Sequence, residues 1–317
     1  MLKKKLLQGI WAWVLVFVML SQMLPAEEIH VLAAEIISGT STSHSYVDNT
    51  GKTYYIDADY GNDENSGLTE EEAWASLKHL NNTTFEPGDA ILLKRGCTWT
   101  DTFIYPKGSG DEKNQNYISC YGDKDQPLPV IVTSYNDSDE NLPPVNASVY
   151  LGKDQNYWTI ENLDITVTSN NAKSIVRIQN NSLVGVEIKN CVLKGGDGNN
   201  WFSNNRDQLS GILVTGYIKG VLLENNEIYH CKATGINVDG SVAGCNYKGE
   251  RYESSGKNVV IRNNYLENIG GNGILVNNCL EPLVEYNVVN RSHSYVQNAA
   301  CAGLWPFACY GALFQYN

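Results

Sequence analysis

The chain has 317 residues, of which 42% are hydrophobic, 18% charged and 10% aromatic. That composition folds around a core and excludes a disordered chain, and the length suits one large domain or two small ones. Its 23 basic and 35 acidic residues leave a formal charge of -12, which repels phosphate backbones and argues against a nucleic-acid partner.

Lys3, Lys4 and Lys5 precede the apolar run LLQGIWAWVLVFVML, and small residues follow at Ala26, Ala33 and Ala34. That order reads as a secretory signal peptide over 1–33, cleaved near Ala33, and so as an exported protein. A membrane anchor is the competing reading, since the run is nearly long enough to span. The small residues favour the signal, and no stable membrane insertion is expected after cleavage. Residues 1–33 hold three Lys and two Glu, a net +1, so the mature chain carries about -13 (-12 minus +1). A linker follows over 34–52. Export permits disulfides among the eight cysteines, but they are sparse. No Cys-x-x-Cys or paired Cys/His spacing occurs, so a zinc or redox site is not expected and most cysteines read as small buried residues.

Residues 53–147 read as an N-terminal cap and first coils. Within TYYIDADYGNDENSGLTEEEAWASLKHLNN, the residues Ala73, Trp74, Leu77 and Leu80 share one helical face, and Thr69 with Glu72 forms a capping box. The sequence therefore predicts a helix covering the open end of the fold. The strand AILLKRG follows the turn FEPGD. Asp57, Asp59, Asp63 and Asn65 form an acidic loop that lacks EF-hand spacing, so turn chemistry is preferred there over calcium binding.

From residue 148 two short patterns alternate. The first reads SGILV at 210–214, TGINV at 234–238, NGILV at 272–276 and AGLWP at 302–306. The second reads VLLENNEI at 221–228, VVIRNNYL at 259–266, LVEYNVV at 283–289 and LFQYN at 313–317, with weaker copies at 157–165 and 185–193. Each copy is a short strand of period two. Equivalent points fall at Leu163, Cys191, Asn226, Asn264, Asn287 and Asn317, in steps of 28, 35, 38, 23 and 30 residues. Steps of that size with irregular insertions indicate a parallel β-solenoid over 148–317. The four asparagines then stack at one corner of successive coils, where their amides satisfy each other and the turn backbone.

YYIDADYGNDENSGLTEEEAWASLKHLN followed by FEPGDAILLKRGCTW resembles the entry segment of secreted right-handed parallel β-helix carbohydrate-active proteins. The repeats and GLWPFACYGALFQYN resemble the same group, of the pectate-lyase-like superfamily. The resemblance implies an all-β right-handed parallel β-helix and a polysaccharide substrate, with both hydrolases and lyases among relatives. It transfers no catalytic residues.

Alternation along the strands assigns the outward rows. In the second pattern the row Glu161, Lys189, Glu224, Arg262, Glu285, Gln315 alternates in sign, as a structural charge ladder does. The first pattern differs. Its rows read Arg177, Leu213, Asn237, Leu275, Trp305 and Gln179, Thr215, Asp239, Asn277, Phe307. Aromatics, amides and a lone carboxylate make a sugar-binding face, since rings stack on pyranose C–H surfaces while amides fix hydroxyls. Loops on its approaches bring Trp201, Arg206 and Asp207, then Glu250 and Arg251, then His293 and Tyr295. The expected substrate-binding set is Arg177, Trp201, Asn237, Asn277, His293 and Trp305, although His293, like His230, equally suits a turn.

Glycoside hydrolysis needs two carboxyls about one bond. Asp239 is the first candidate, with Asp207 or Glu250 as partner. That chemistry needs no cofactor and no metal. The alternative is a lyase, in which Arg177 or Arg251 acts and calcium neutralises a uronate; the acidic charge of the chain disfavours a polyuronate without a cation. A third reading is a non-catalytic glycan-binding or surface β-helix. The chain stops at Asn317 inside a second-pattern strand, so either further coils or another chain is expected to cover that edge; a capped chain is expected to be a monomer.

Overall fold

A computed structural model describes residues 51–134, 146–168, 172–196, 209–240, 256–293 and 301–317. The predicted signal peptide and most of the linker lie outside these residues. Three all-parallel sheets of nine, seven and six strands run the length of the described coils. Sheet 1 contains Val186–Lys189, Val221–Glu224, Val259–Arg262, Leu283–Glu285 and Leu313–Gln315 among its strands. Sheet 2 includes Asp164–Val167, Val192–Lys194, Glu227–Tyr229, Tyr265–Glu267 and Val288–Asn290. Sheet 3 is Ala147–Leu151, Ser174–Leu183, Ser210–Ile218, Ile236–Asp239, Ile274–Asn277 and Leu304–Phe307. Successive strands of one sheet come from successive coils, which makes the fold a parallel β-helix.

The core follows from period-two alternation and stacking. On sheet 1, Ile160, Ile188, Leu223, Ile261 and Val284 fall in register and are fully buried. On sheet 2, Ile165, Leu193, Ile228 and Leu266 do the same. Val149, Val176, Ile212, Ile236 and Ile274 fill sheet 3. Each such side chain contributes about 1.5–3 kcal/mol relative to exposure.

The corner between sheets 1 and 2 is built from two residues. The first takes the left-handed conformation, at Asn162 (φ 57), Asn190 (φ 52), Asn225 (φ 55) and Asn263 (φ 55). Asparagine tolerates that region better than other residues with a Cβ. The second is the stacking position. Asn226 Nδ2 donates to Asn264 Oδ1 at 3.0 Å, Asn264 Nδ2 to Asn287 Oδ1 at 2.9 Å and Asn287 Nδ2 to Asn317 Oδ1 at 2.8 Å. The amides also serve the backbone: Asn264 Oδ1 accepts from Asn226 N at 3.0 Å, and Asn264 Nδ2 donates to Leu223 O at 2.9 Å. The structural reading of these asparagines holds, with Cys191 opening the row by donating its backbone N–H to Asn226 Oδ1.

The cap differs from expectation. Ala73, Trp74, Leu77 and Leu80 are buried, but the helix covers only Lys78–Asn82. Trp74 instead pairs with the first strand: its N–H donates to Tyr55 O at 3.0 Å, and its carbonyl accepts from Asp57 N at 2.8 Å. The N–H groups of Ala75 and Ser76 bond Asp63 Oδ1 at 2.9 and 2.8 Å. These partners take the backbone groups a helix would use, so the helix starts later. Half of the capping box forms, with Glu72 N donating to Thr69 Oγ1 at 3.2 Å, but the Glu72 carboxylate accepts from Ser66 Oγ at 2.5 Å.

Truncating Asn264 to alanine removes the oxygen that accepts from the buried Asn226 N–H and from Asn226 Nδ2, together with the amide that donates to Leu223 O; the orphaned N–H alone costs about 1–3 kcal/mol. Urea unfolding of Asn264→Ala should therefore show a loss of about 1–3 kcal/mol by the same rule. Asn317→Ala should lose less than half as much, because Asn317 is exposed and water replaces its amide.

Candidate functional site

The three outward faces handle in-register stacking differently. On sheet 1 the predicted charge row is present in full register, from Glu161 through Lys189, Glu224, Arg262 and Glu285 to Gln315. Lys189 Nζ lies 2.8 Å from Glu187 and 3.7 Å from Glu161, and Arg262 Nε lies 2.5 Å from Glu224. Gln315 Nε2 donates to Glu285 at 2.7 Å. Burial alone lowers the Lys189 pKa, but Glu187 and Glu161 outweigh it and hold the ammonium above its ordinary value. Every carboxylate of this row has a partner, as a structural ladder requires.

Sheet 2 carries a network that the sequence reading did not single out. Tyr229 OH donates to Glu227 at 2.5 Å, and Tyr265 OH to Glu267 at 3.0 Å. Glu227 stacks on Tyr265, and Tyr229 on Glu267, so the two pairs cross. Asn290 Nδ2 reaches both Tyr265 OH and Glu267 at 3.3 Å, and Arg291 lies 3.7 Å from Glu267. Burial first, and then Glu267, push the Tyr265 phenol up to about 12, so it stays a donor at neutral pH. The reciprocal spacing Glu-x-Tyr at 227–229 and Tyr-x-Glu at 265–267 was the legible sign. Its carboxylates are bound by neighbouring phenols and amides, which marks a structural network.

Sheet 3 presents the two mixed rows in the predicted register. Tyr150, Arg177, Leu213, Asn237, Leu275 and Trp305 stack in one. Gln179, Thr215, Asp239, Asn277 and Phe307 stack in the other. Among the described strands of this sheet, Asp239 is the one carboxylate. It is half-buried and accepts from Asn278 Nδ2 at 2.9 Å. One row over, Asn277 Nδ2 donates to Asn237 Oδ1 at 3.3 Å. Arg177 Nε donates to Gln179 Oε1 at 3.1 Å. The rings of Trp305 and Phe307 meet edge to face at 6.2 Å, and Phe307 is 56% exposed. At the far end Tyr105 packs on Tyr150 at 5.3 Å, an extension of the aromatic content that the sequence reading missed.

The structure thus brings Arg177, Asn237, Asp239, Asn277 and Trp305 onto one face. His293 sits at the corner beyond sheet 2, exposed and left-handed (φ 56), its N–H donating to Gly271 O at 2.9 Å. That is a turn position. Trp201, Asp207 and Glu250 lie outside the described residues.

In the N-terminal loop, Asp57, Asp59 and Cys97 bring ligand-type atoms within 4.8 Å of one another. Lys94 Nζ already lies 2.6 Å from Asp57 Oδ2, and Asp57 Oδ1 accepts from the N–H groups of Asp59 and Tyr60 at 3.0 and 3.2 Å. Burial pushes the Cys97 thiol up to about 11, which keeps it protonated. The Lys94 ammonium balances the Asp57 charge, and the N–H groups of Asp59 and Tyr60 hold that carboxylate in a turn. Burial raises the Asp57 pKa, but Lys94 and the two N–H groups outweigh it and hold it below the usual carboxylate range. A depressed folded pKa contributes stability that is complete above the ordinary value of about 3.9 and is lost as pH falls through the folded value. Asp57→Asn should therefore melt below the parent chain at pH 7, and that gap should close as the pH drops under about 4. A gap independent of pH contradicts this electrostatic account.

A lacto-N-biosidase of Bifidobacterium longum subsp. longum is 24% identical to 84% of this chain, which spans 22% of that protein. The crystal structure of a GH136 lacto-N-biosidase from Eubacterium ramulus superposes with TM-score 0.57 at 24% identity, covering 84% of this chain and 51% of that one. A pectate lyase aligns at TM-score 0.41 and 16% identity over 87% of this chain and 78% of its own. The chain therefore spans about half or less of the lacto-N-biosidases it matches, and the superposition establishes a common fold. Residues 145–307, more than half of the chain, match the family described as the right-handed β-helix region, and the chain belongs to that family.

Proposed function

We propose that this chain forms part of a secreted glycoside hydrolase whose site is the outward face of sheet 3, with Asp239 as a catalytic carboxyl. The observation that carries this reading is the placement of Asp239. Among the described strands it is the one carboxylate on a face of amides and aromatic rings, and it accepts from Asn278. On sheets 1 and 2 the carboxylates stand instead in charge ladders and tyrosine pairs. The similarity to lacto-N-biosidases supports hydrolysis and a glycan as substrate. The basic start, apolar run and small residues at Ala33 and Ala34 support export.

In this mechanism a pyranose stacks on Trp305 and Phe307, while Asn237 and Asn277 bind its hydroxyls. One carboxyl protonates the glycosidic oxygen as the bond to the anomeric carbon breaks. The second either attacks that carbon or activates the water that does. Asp207 and Glu250 are the proposed partners of Asp239. A separation of ≈5–5.5 Å makes the enzyme retaining and ≈6.5–9.5 Å makes it inverting. Neither route uses a cofactor. Calcium belongs to the alternative lyase reading, with Arg177 or Arg251 at the uronate.

The test is incubation with neutral glycans, an aryl lacto-N-bioside and uronate polymers, with and without calcium. Reducing ends or released aryl alcohol without unsaturated-uronate absorbance is the expected result. Asp239→Ala should lower kcat/KM by about 10²–10⁴-fold, and Trp305→Ala should raise KM about tenfold, a loss of about 1.4 kcal/mol. Calcium-dependent absorbance overturns hydrolysis in favour of a lyase, and full activity in Asp239→Ala overturns the site.

A further inference from the structure

We infer that Asn278 is a positioning residue for Asp239, placed at its corner to hold that carboxylate rather than to build the turn. The inference rests on the proposed site and deepens it.

The first line of support is the backbone. Asn278 is left-handed (φ 51), but the equivalent residue of the next coil is Ala308, also at φ 51. The two corners stack in register: Asn278 N donates to Phe307 O at 3.0 Å, and Leu280 bridges Tyr310. This corner therefore forms without an asparagine. Its backbone groups are also satisfied by backbone. Gly240 N donates to Asn277 O at 3.0 Å, and Gly256 N to Asn278 O at 3.0 Å. Among the described residues, the backbone of this turn is bonded without the side-chain amide.

The second line is where the amide goes. The structural asparagines of the sheet 1–2 corner spend their amides on backbone, as Asn226 does on Ile188 O and Asn287 does on Ile261 O. Left-handed asparagines elsewhere reach a hydroxyl, another amide, a carbonyl or an imidazole: Asn162 to Ser119, Asn225 to Asn190, Asn258 to Lys219 O and Asn268 to the His230 ring. Among these described asparagines, Asn278 is the one whose amide meets a carboxylate. Its Nδ2 reads back one coil and donates to Asp239 Oδ1 at 2.9 Å, across the residue separation of 39 that one coil and its loop create. Asn277 makes the parallel step to Asn237. Two adjacent amides of one coil thus pin two polar side chains of the coil before it, and one of the two is the proposed catalytic carboxyl.

The bond from Asn278 fixes the plane of the Asp239 carboxylate, and a set orientation is what proton transfer or attack at an anomeric carbon needs. Removing the amide should cost rate more than binding. The test uses Asn278→Gly, which keeps the left-handed backbone open and deletes the donor, and Asn278→Asp, which keeps the shape and replaces the donor with a like charge. On the aryl lacto-N-bioside, Asn278→Gly should lower kcat about 10–100-fold with KM unchanged. Asn278→Asp should lower it further, and Tm should match the parent within the error of the measurement. Asp239→Ala, run alongside, separates the two levels. If Asp239→Ala keeps activity, the site reading fails. If Asp239→Ala is inactive while Asn278→Gly keeps full kcat, the positioning role fails. Crystal structures give a readout independent of turnover: Asp239 should hold one rotamer in the parent chain and spread over several in Asn278→Gly. An unmoved Asp239 overturns the inference.

Discussion

Parallel coils stacked about 4.8 Å apart place each residue beside its counterpart in the next coil, and every outward face must answer that constraint. Like charges at that spacing repel, and buried polar groups without partners destabilise the fold by kilocalories each. The corner between sheets 1 and 2 answers with asparagine amides that bond one another and the backbone. Sheet 1 answers by alternating sign. Sheet 2 crosses tyrosine and glutamate so that each carboxylate meets a phenol.

Sheet 3 is where stacking was not used for self-satisfaction alone. Its rows place leucine beside asparagine and threonine beside aspartate, pairings that add little to the stability of a sheet. The polar groups there present hydrogen-bonding capacity to one side, next to exposed aromatic rings. The rigid core beneath, fully buried at Ile212, Ile236 and Ile274, holds this face fixed. Amides, a carboxylate and aromatic rings on a rigid support are the arrangement expected of a saccharide site.

Much of this was legible because stacking writes itself into the chain. The recurrence of Asn226, Asn264, Asn287 and Asn317 disclosed the coil, and alternation within each strand disclosed all three sheet 3 and sheet 1 rows in their observed register. The helix over Ala73 to Leu80 was misread because its period described burial, whereas the backbone partners that Tyr55 and Asp63 provide lie outside any local pattern. The crossed network of Tyr229 and Tyr265 emerges only when register sets Glu227 beside Tyr265 and Tyr229 beside Glu267. The role of Asn278 needed three dimensions: only the equivalence with Ala308 shows that its amide is not spent on the turn.

The central claim is that the face carrying Asp239 and Trp305 is where glycan binds. The most direct measurement is the crystal structure of Asp239→Asn with an oligosaccharide containing lacto-N-biose. The account predicts a pyranose ring lying on Trp305, its hydroxyls bonded to Asn237 and Asn277, and a glycosidic oxygen within hydrogen-bond reach of residue 239. Sugar density on the charge row of sheet 1, or on the tyrosine network of sheet 2, with the sheet 3 face bare, contradicts it.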